Sequence, residues 1–180
     1  MNQTLDDTLA MAMQGIEKAV TADALFIYSV IEQNQFKKGG KLKPSDFSEV
    51  LARIKDEAFY VAKIAGTIVG FVRINEYGGQ TGKDIAEIRS WYVLPEHNDK
   101  KIGTALLEVA EQEAKKRGYN RVHIVTQKED FGKERGYVQT SVPEQKVMKD
   151  CKPCPLYNNG CNETAFVKTL QPLQLVQLKP

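Results

Sequence analysis

Three groups of residues in this chain have types and spacings suited to chemistry. The first is Glu87 and Arg89, two apart in the stretch Ile85 to Leu94, IAEIRSWYVL. Strict alternation assigns Glu87, Arg89, Trp91 and Val93 to one face of a strand and Ala86, Ile88, Ser90, Tyr92 and Leu94 to the other. A guanidinium beside a carboxylate keeps that carboxylate ionised, as a proton acceptor needs, or receives an acidic ligand. An ion pair that only stabilises a half-buried strand is the alternative. The second group follows at once. Pro95 stops the strand, a polar turn intervenes, and Gly103, Thr104, Ala105, Leu106 and Leu107 open a helix whose apolar stripe continues at Val109 and Ala110. First-turn N–H groups lack intrahelical acceptors and the helix dipole favours negative charge, so a phosphate-bearing cofactor is expected here.

The third group is Cys151, Cys154 and Cys161. Zinc wants four ligands, and His97, His123 or Asp150 would have to supply the fourth. An iron–sulfur cluster with one open iron, a redox pair across Cys151 and Cys154, and three metal-free thiols are the other readings. His123 stands in a strand between Val122 and Ile124, where a satisfied structural histidine is the commoner case, and His97 lies in the polar turn.

These groups need elements to position them. Residues 1–13 read as an N-terminal extension. A strand is expected around Met13 to Val20, then a helix carrying Ala24, Leu25, Tyr28 and Ile31 that ends before the loop Lys37, Lys38, Gly39, Gly40. Ser45, after Pro44, is the expected N-cap of a second helix with Phe47, Val50, Leu51 and Ile54 on its apolar face. Ala58 to Ile64 and Thr67 to Ile74 form a hairpin turned by Ala65-Gly66, and a glycine-rich loop, Asn75 to Lys83, leads into the strand that carries Glu87. The helix after it stops at Gly118. Arg121 to Thr126 is a strand, Phe131 to Arg135 a short helix ended by Gly136, Tyr137 to Thr140 the start of a strand, and Thr164 to Leu170 the last. The interval 141–162 has no periodic pattern, is long for a compact domain and contains the cysteines; 171–180 is a tail.

With 180 residues, 42% hydrophobic and 27% charged, the chain has the make-up of one globular domain. Its 25 basic and 23 acidic residues, net +2, are too balanced for a nucleic-acid or membrane surface, so a small molecule is the expected partner. The start MNQTLDDTLAMAMQ has Asp6 and Asp7 where a secretion signal needs basic residues, and an odd cysteine count does not suit a secreted disulfide framework. A cytoplasmic location is therefore expected. The tail segment LQLVQL would allow a homodimer by pairing across a two-fold axis.

The order of elements, with VLPEHNDKKIGTALLEVAEQEAKKRGY and FGKERGY, resembles the GCN5-related N-acetyltransferases. The resemblance implies a mixed α/β fold: a central, mostly antiparallel mixed sheet flanked by helices and splayed at its central strand. In that family a loop of the form Gln/Arg-x-x-Gly-x-Gly/Ala cradles the pyrophosphate of acetyl-CoA. The matching positions are Asn98, Asp99, Lys100, Lys101, Ile102 and Gly103, with Thr104 next in the helix; the last glycine alone agrees. Lys101 stands at a glycine position, where a left-handed backbone costs a side chain energy, while Lys100 and Lys101 offer cationic partners to the phosphates. The backbone N–H groups of Trp91, Tyr92 and Val93 are implied to meet the pantetheine and thioester, their side chains being core residues.

AEIRSWYV, VPEQKVMKDCKPCPLYNNGCNETAFVKTL and GGKLKPSDFSEVL carry a narrower resemblance, from about Ile16 to Leu170, to stand-alone acetyltransferases classed with bacterial N-acetylglutamate synthases. It implies an N-acetyltransferase domain over 14–170 that acetylates an amino acid, glutamate first, as in arginine biosynthesis. Glu87 is then the general base and Arg89 the contact for an acidic substrate, with Asn75 and Thr126 also at the substrate. Where that subgroup has Pro-Arg in the early loop this chain has Pro44-Ser45, and Lys43 is the cation that would compensate. The tyrosine that protonates the leaving thiolate in many relatives falls on Gly132. Tyr137 sits at an aromatic core position of the family, and Tyr157 or water are the remaining acids. Another small amine or a protein N-terminus as acceptor, and a catalytically idle acyl-CoA or metal-binding module, are the alternative functions.

Overall fold

The computed structural model describes residues 15–37, 46–56, 59–76, 85–98, 101–126, 131–132, 135–141 and 163–170. In chain order these form β1 (Ile16–Lys18), a 3-10 turn (Thr21–Asp23), α1 (Ala24–Lys37), α2 (Phe47–Lys55), β2 (Phe59–Ile64), β3 (Thr67–Glu76) and β4 (Ile85–Val93). A second 3-10 turn (Pro95–His97), α3 (Ile102–Lys116), β5 (Arg121–Thr126), β6 (Val138–Thr140) and β7 (Thr164–Thr169) follow. The strands make one sheet in the order β1-β2-β3-β4-β5-β7-β6. Each neighbouring pair is antiparallel except β4 and β5, which are parallel and joined by the α3 crossover that such a pair requires. The expected mixed sheet is thus present.

Each face of the sheet has its own core. Val72, Ile74, Ala86, Ile88, Val122 and Ile124 pack beneath α3 with Leu106 and Ala110. Phe59, Val61 and Phe71 pack on the other face with Ile27 of α1 and Val50 and Ile54 of α2. The β2–β3 hairpin turns at Ala65 and Gly66, with φ of 48° and 79°; positive values at both central residues suit the twist of paired strands.

Several boundaries differ from those expected. β1 is limited to Ile16–Lys18, where it pairs with β2. The buried stripe of α1 is Ala24, Ile27 and Val30, and Leu25 is 69% exposed. Asp46, one residue after the expected Ser45, caps α2 by accepting from the Ser48 N–H at 2.9 Å. β3 runs on to Glu76, because Asn75 continues the ladder opposite Glu87 instead of opening the loop. The short helix expected at Phe131 to Arg135 is represented, among the described residues, by turns at 131–132 and 135–136. α3 begins at Ile102 and ends where Gly118 takes a φ of 88°. No helix among the described residues is long and apolar enough to cross a membrane.

Candidate active site

The parallel ladder between β4 and β5 is short. It pairs Ile85 with Arg121, Ala86 with Val122 and Glu87 with His123 and then stops, although β4 continues to Val93 and β5 to Thr126. The strands part just beyond Glu87. β4 stays with β3, but through a bulge: Arg73 pairs with Arg89 and Phe71 with Tyr92, so three steps on β4 match two on β3. Ser90 absorbs the extra residue with a φ of 52°, a left-handed conformation that costs an L-residue about 1 kcal/mol.

This bulge reverses the phase of the strand and corrects the face assignment drawn from alternation. Ala86 and Ile88 lie on the α3 side, and after Ser90 so do Trp91 and Val93, while Tyr92 turns to the α1–α2 side beside Phe71, ring centroids 5.8 Å apart. Glu87 therefore does not share a face with Trp91 and Val93. The Leu94 N–H donates to the Val69 carbonyl at 2.8 Å. By the period of two, Tyr92 also turns its N–H towards β3 and Val93 turns its own towards the opening.

Glu87 is 2% exposed. Asn75 Nδ2 donates to its Oε2 at 3.3 Å, and Arg89 Nη1 stands 3.7 Å from the same oxygen. Arg73 Nη2 in turn donates to Asn75 Oδ1 at 3.3 Å. Cross-strand pairing, Arg73 with Arg89 and Asn75 with Glu87, thus gathers four side chains into one patch on the α1–α2 face. His123 is fully buried and pairs with Glu87 from the β5 side. Arg73 was not distinguishable in the sequence, since its neighbours are 16 residues away by register; only the pairing of β3 with β4 brings it in. Burial, reinforced by the charges of Arg89 and Arg53 and opposed by Glu49 and Glu87, pushes the Arg73 guanidinium down to about 10, so it is still charged at neutral pH. Thr126, two and four residues from Ile124 and Val122, shares their face beneath α3 and not that of Glu87.

The other half of the site is the start of α3. Lys101 has a φ of 58° and a ψ of 7°, the left-handed conformation foreseen for a glycine position. The first helical bond runs from the Ala105 N–H to the Lys101 carbonyl at 3.0 Å, so the N–H groups of Ile102, Gly103 and Thr104 have no acceptor within the helix. Trp91 fixes this turn in place. Its Nε1 donates to the Gly103 carbonyl at 3.0 Å, its ring meets Phe131 edge-on at 5.5 Å, and a Cβ at Gly103 would come within 3.2 Å of the indole. Asn98 closes the 3-10 turn after β4 and is exposed. The free helical donors and the left-handed entry form a fitting cradle for a phosphate anion.

Tyr137 is buried, donates to Glu111 Oε1 at 2.9 Å and packs on Phe131 at 5.1 Å. It is a packing residue; burial first, then the Glu111 charge, pushes its hydroxyl far up from 10.0. Lys43, Asp99, Lys100, Asp150, Cys151, Cys154, Tyr157 and Cys161 lie outside the described residues, and with them the three cysteines expected to hold zinc. Among the described residues no group of three His, Cys, Asp or Glu side chains gathers to hold a metal.

A sheet parted at its parallel pair, with a helix N-terminus at the opening and a buried carboxylate at the fork, is the arrangement of an N-acetyltransferase. The profile of the acetyltransferase (GNAT) family matches residues 27–137, and an uncharacterized N-acetyltransferase of Chlorobaculum tepidum is 37% identical over 157 residues, 86% of this chain and 96% of that protein. The chain belongs to the GNAT family. An uncharacterized N-acetyltransferase of Methanocaldococcus jannaschii is 32% identical over 101 residues, 55% of this chain and 45% of that one. Among solved structures, N-acetylglutamate synthase from Neisseria gonorrhoeae, in complex with coenzyme A and N-acetyl-glutamate, superposes with a TM-score of 0.69 at 21% identity; the match covers 87% of this chain and 35% of the synthase. A Mycobacterium tuberculosis protein in complex with CoA gives a TM-score of 0.65 at 20% identity, covering 87% of this chain and 99% of that one. At such identities these two establish the shared fold.

Proposed function

We propose that this N-acetyltransferase moves the acetyl group of acetyl-CoA to the amino group of an amino acid, glutamate being the first acceptor to test. The observation that carries the proposal is Glu87: a carboxylate buried where β4 leaves β5, with Asn75 and Arg89 on the same oxygen. Acetyl-CoA supplies the thioester: the amine attacks its carbonyl carbon, the C–S bond breaks, and the leaving CoA thiolate takes its proton from water. The N–H groups of Ile102, Gly103 and Thr104 receive the pyrophosphate, with the Lys101 side chain nearby in solvent. The Val93 N–H, turned to the opening, polarises the thioester carbonyl. Glu87 accepts the ammonium proton, directly or through one water, and Arg89 receives an acidic acceptor. The N. gonorrhoeae synthase complex, named for N-acetyl-glutamate, supports glutamate as the first choice.

The test is release of CoA thiol by the reduced protein, screened against all amino acids and several polyamines. Turnover is expected on an amino acid, and Glu87→Gln is expected to reduce it by about 100- to 10 000-fold, the usual worth of a general base. Turnover restricted to amines without a carboxylate would replace the amino-acid reading. Stabilisation by acetyl-CoA with no amine acetylated would point to an idle acyl-CoA-binding module.

A further inference from the structure

The patch around Glu87 contains a cation that the reaction itself does not use. Arg73 has an 11% exposed side chain and is held from two directions: Nη2 on Asn75 Oδ1, and the guanidinium 5.7 Å from the centroid of the Phe59 ring. Such a planar fork, already ordered, is suited to two parallel hydrogen bonds with a carboxylate. The carboxylate that faces it is that of Glu49 on α2, 3.8 Å from Nη1. That separation is too long for a hydrogen bond, and Glu49 is half exposed, with 51% of its side chain in solvent. A loose pair of this kind contributes little and gives way to a better-fitting anion.

Resting on the acetyltransferase reading, we propose that Arg73 recognises the carboxylate of the acceptor, and that Glu49 stands in for this carboxylate until the acceptor displaces it. The local charge favours the exchange: the positive charges of Arg89 and Arg53 act on Arg73 here, and an anionic acceptor would relieve that repulsion. The spacing favours it too. Arg73 and Asn75 are two residues apart on one face of β3, a step of about 7 Å. Their side chains also touch, Arg73 Nη2 on Asn75 Oδ1 at 3.3 Å, so an α-amino acid whose carboxylate lies on Arg73 directs its amine towards the Asn75–Glu87 pair. The acceptor class is then a free α-amino acid or another amine with a carboxylate close to the nitrogen.

The test compares each amino acid with its α-amide, in which the amine is kept and the carboxylate charge is removed. Wild-type protein is expected to prefer the acid in kcat/KM. Arg73→Gln is expected to shrink the acid-over-amide ratio by on the order of 100-fold, chiefly through the KM for the acid. Arg73→Lys keeps the charge without the fork and should fall between. Glu49→Gln, a change on the helix surface, should lower the KM for the acid and enlarge the ratio. A wild-type enzyme that acetylates acid and amide alike overturns the proposal and leaves the acetyltransferase standing, as does a Glu49→Gln variant with an unaltered ratio. If neither compound is acetylated, the enzyme reading fails separately, and thermal stabilisation by the acid in the presence of CoA decides: stabilisation by the acid over the amide that Arg73→Gln abolishes supports carboxylate recognition, and its absence overturns it.

Discussion

At Gly132 an added Cβ would lie 2.6 Å from the Tyr137 carbonyl oxygen and 3.1 Å from the Phe166 ring. The position where many relatives are expected to carry an acidic tyrosine therefore has no room for any side chain, and the departure seen in the sequence has a packing cause. Gly132→Ala should lower stability by about 1–3 kcal/mol, since the blocking atom is backbone and cannot swing aside; a denaturant melt compares the two proteins. The same scale shows what single residues reveal. Glu87 was legible because carboxylates seldom occur in the middle of an apolar strand, and Tyr137 was rightly read as packing. Asn75 was named through the family resemblance, whereas Arg73 gains its meaning from β4, which lies across a loop, and nothing within its own strand announces it.

The elements were legible where one physical pattern dominates: the hairpin from its turn, α3 from its apolar stripe and Gly118, the strands from their β-branched runs. They were misread where one residue breaks the pattern. Ser90 has nothing in its type to announce a bulge, yet its φ of 52° moves Trp91 and Val93 to the opposite face from the one that alternation gives. Two substitutions test its role. Ser90→Gly should fold normally, because glycine takes this conformation freely. Ser90→Val should lose about 1–3 kcal/mol, a β-branched residue being poorly tolerated there, and should also weaken acetyl-CoA binding as Trp91 loses its hold on Gly103. Equal melting temperatures for the two variants would show that the bulge is not set by this residue.

For the molecule as a whole, the match between expected and observed order of elements reflects how strongly topology follows from short connections and one crossover. Acid stability is a property at this scale, because α3 is tied to β2 through Glu113, Arg117 and Tyr60. Burial pulls the Glu113 carboxyl upward, but hydrogen bonds from Arg117, at 2.9 Å, and from Tyr60 outweigh it and hold the group below its ordinary 4.5. Its ionised form favours the fold, so the contribution is complete above 4.5 and is lost as pH falls through the lower, folded value. Glu113→Gln should thus cost stability at neutral pH, and the gap from wild type should narrow as pH falls below 4.5; urea midpoints measured from neutral to acid pH follow it. The position of β7, between β5 and β6, has a consequence for synthesis. Both of those strands are made before the segment that joins them, and among the described residues β6 has its ladder only with β7. Until the segment ending at Thr169 is in place, β5 keeps an open edge and β6 has no ladder, so this side of the sheet closes last and is the part most open to pairing with another chain before it does.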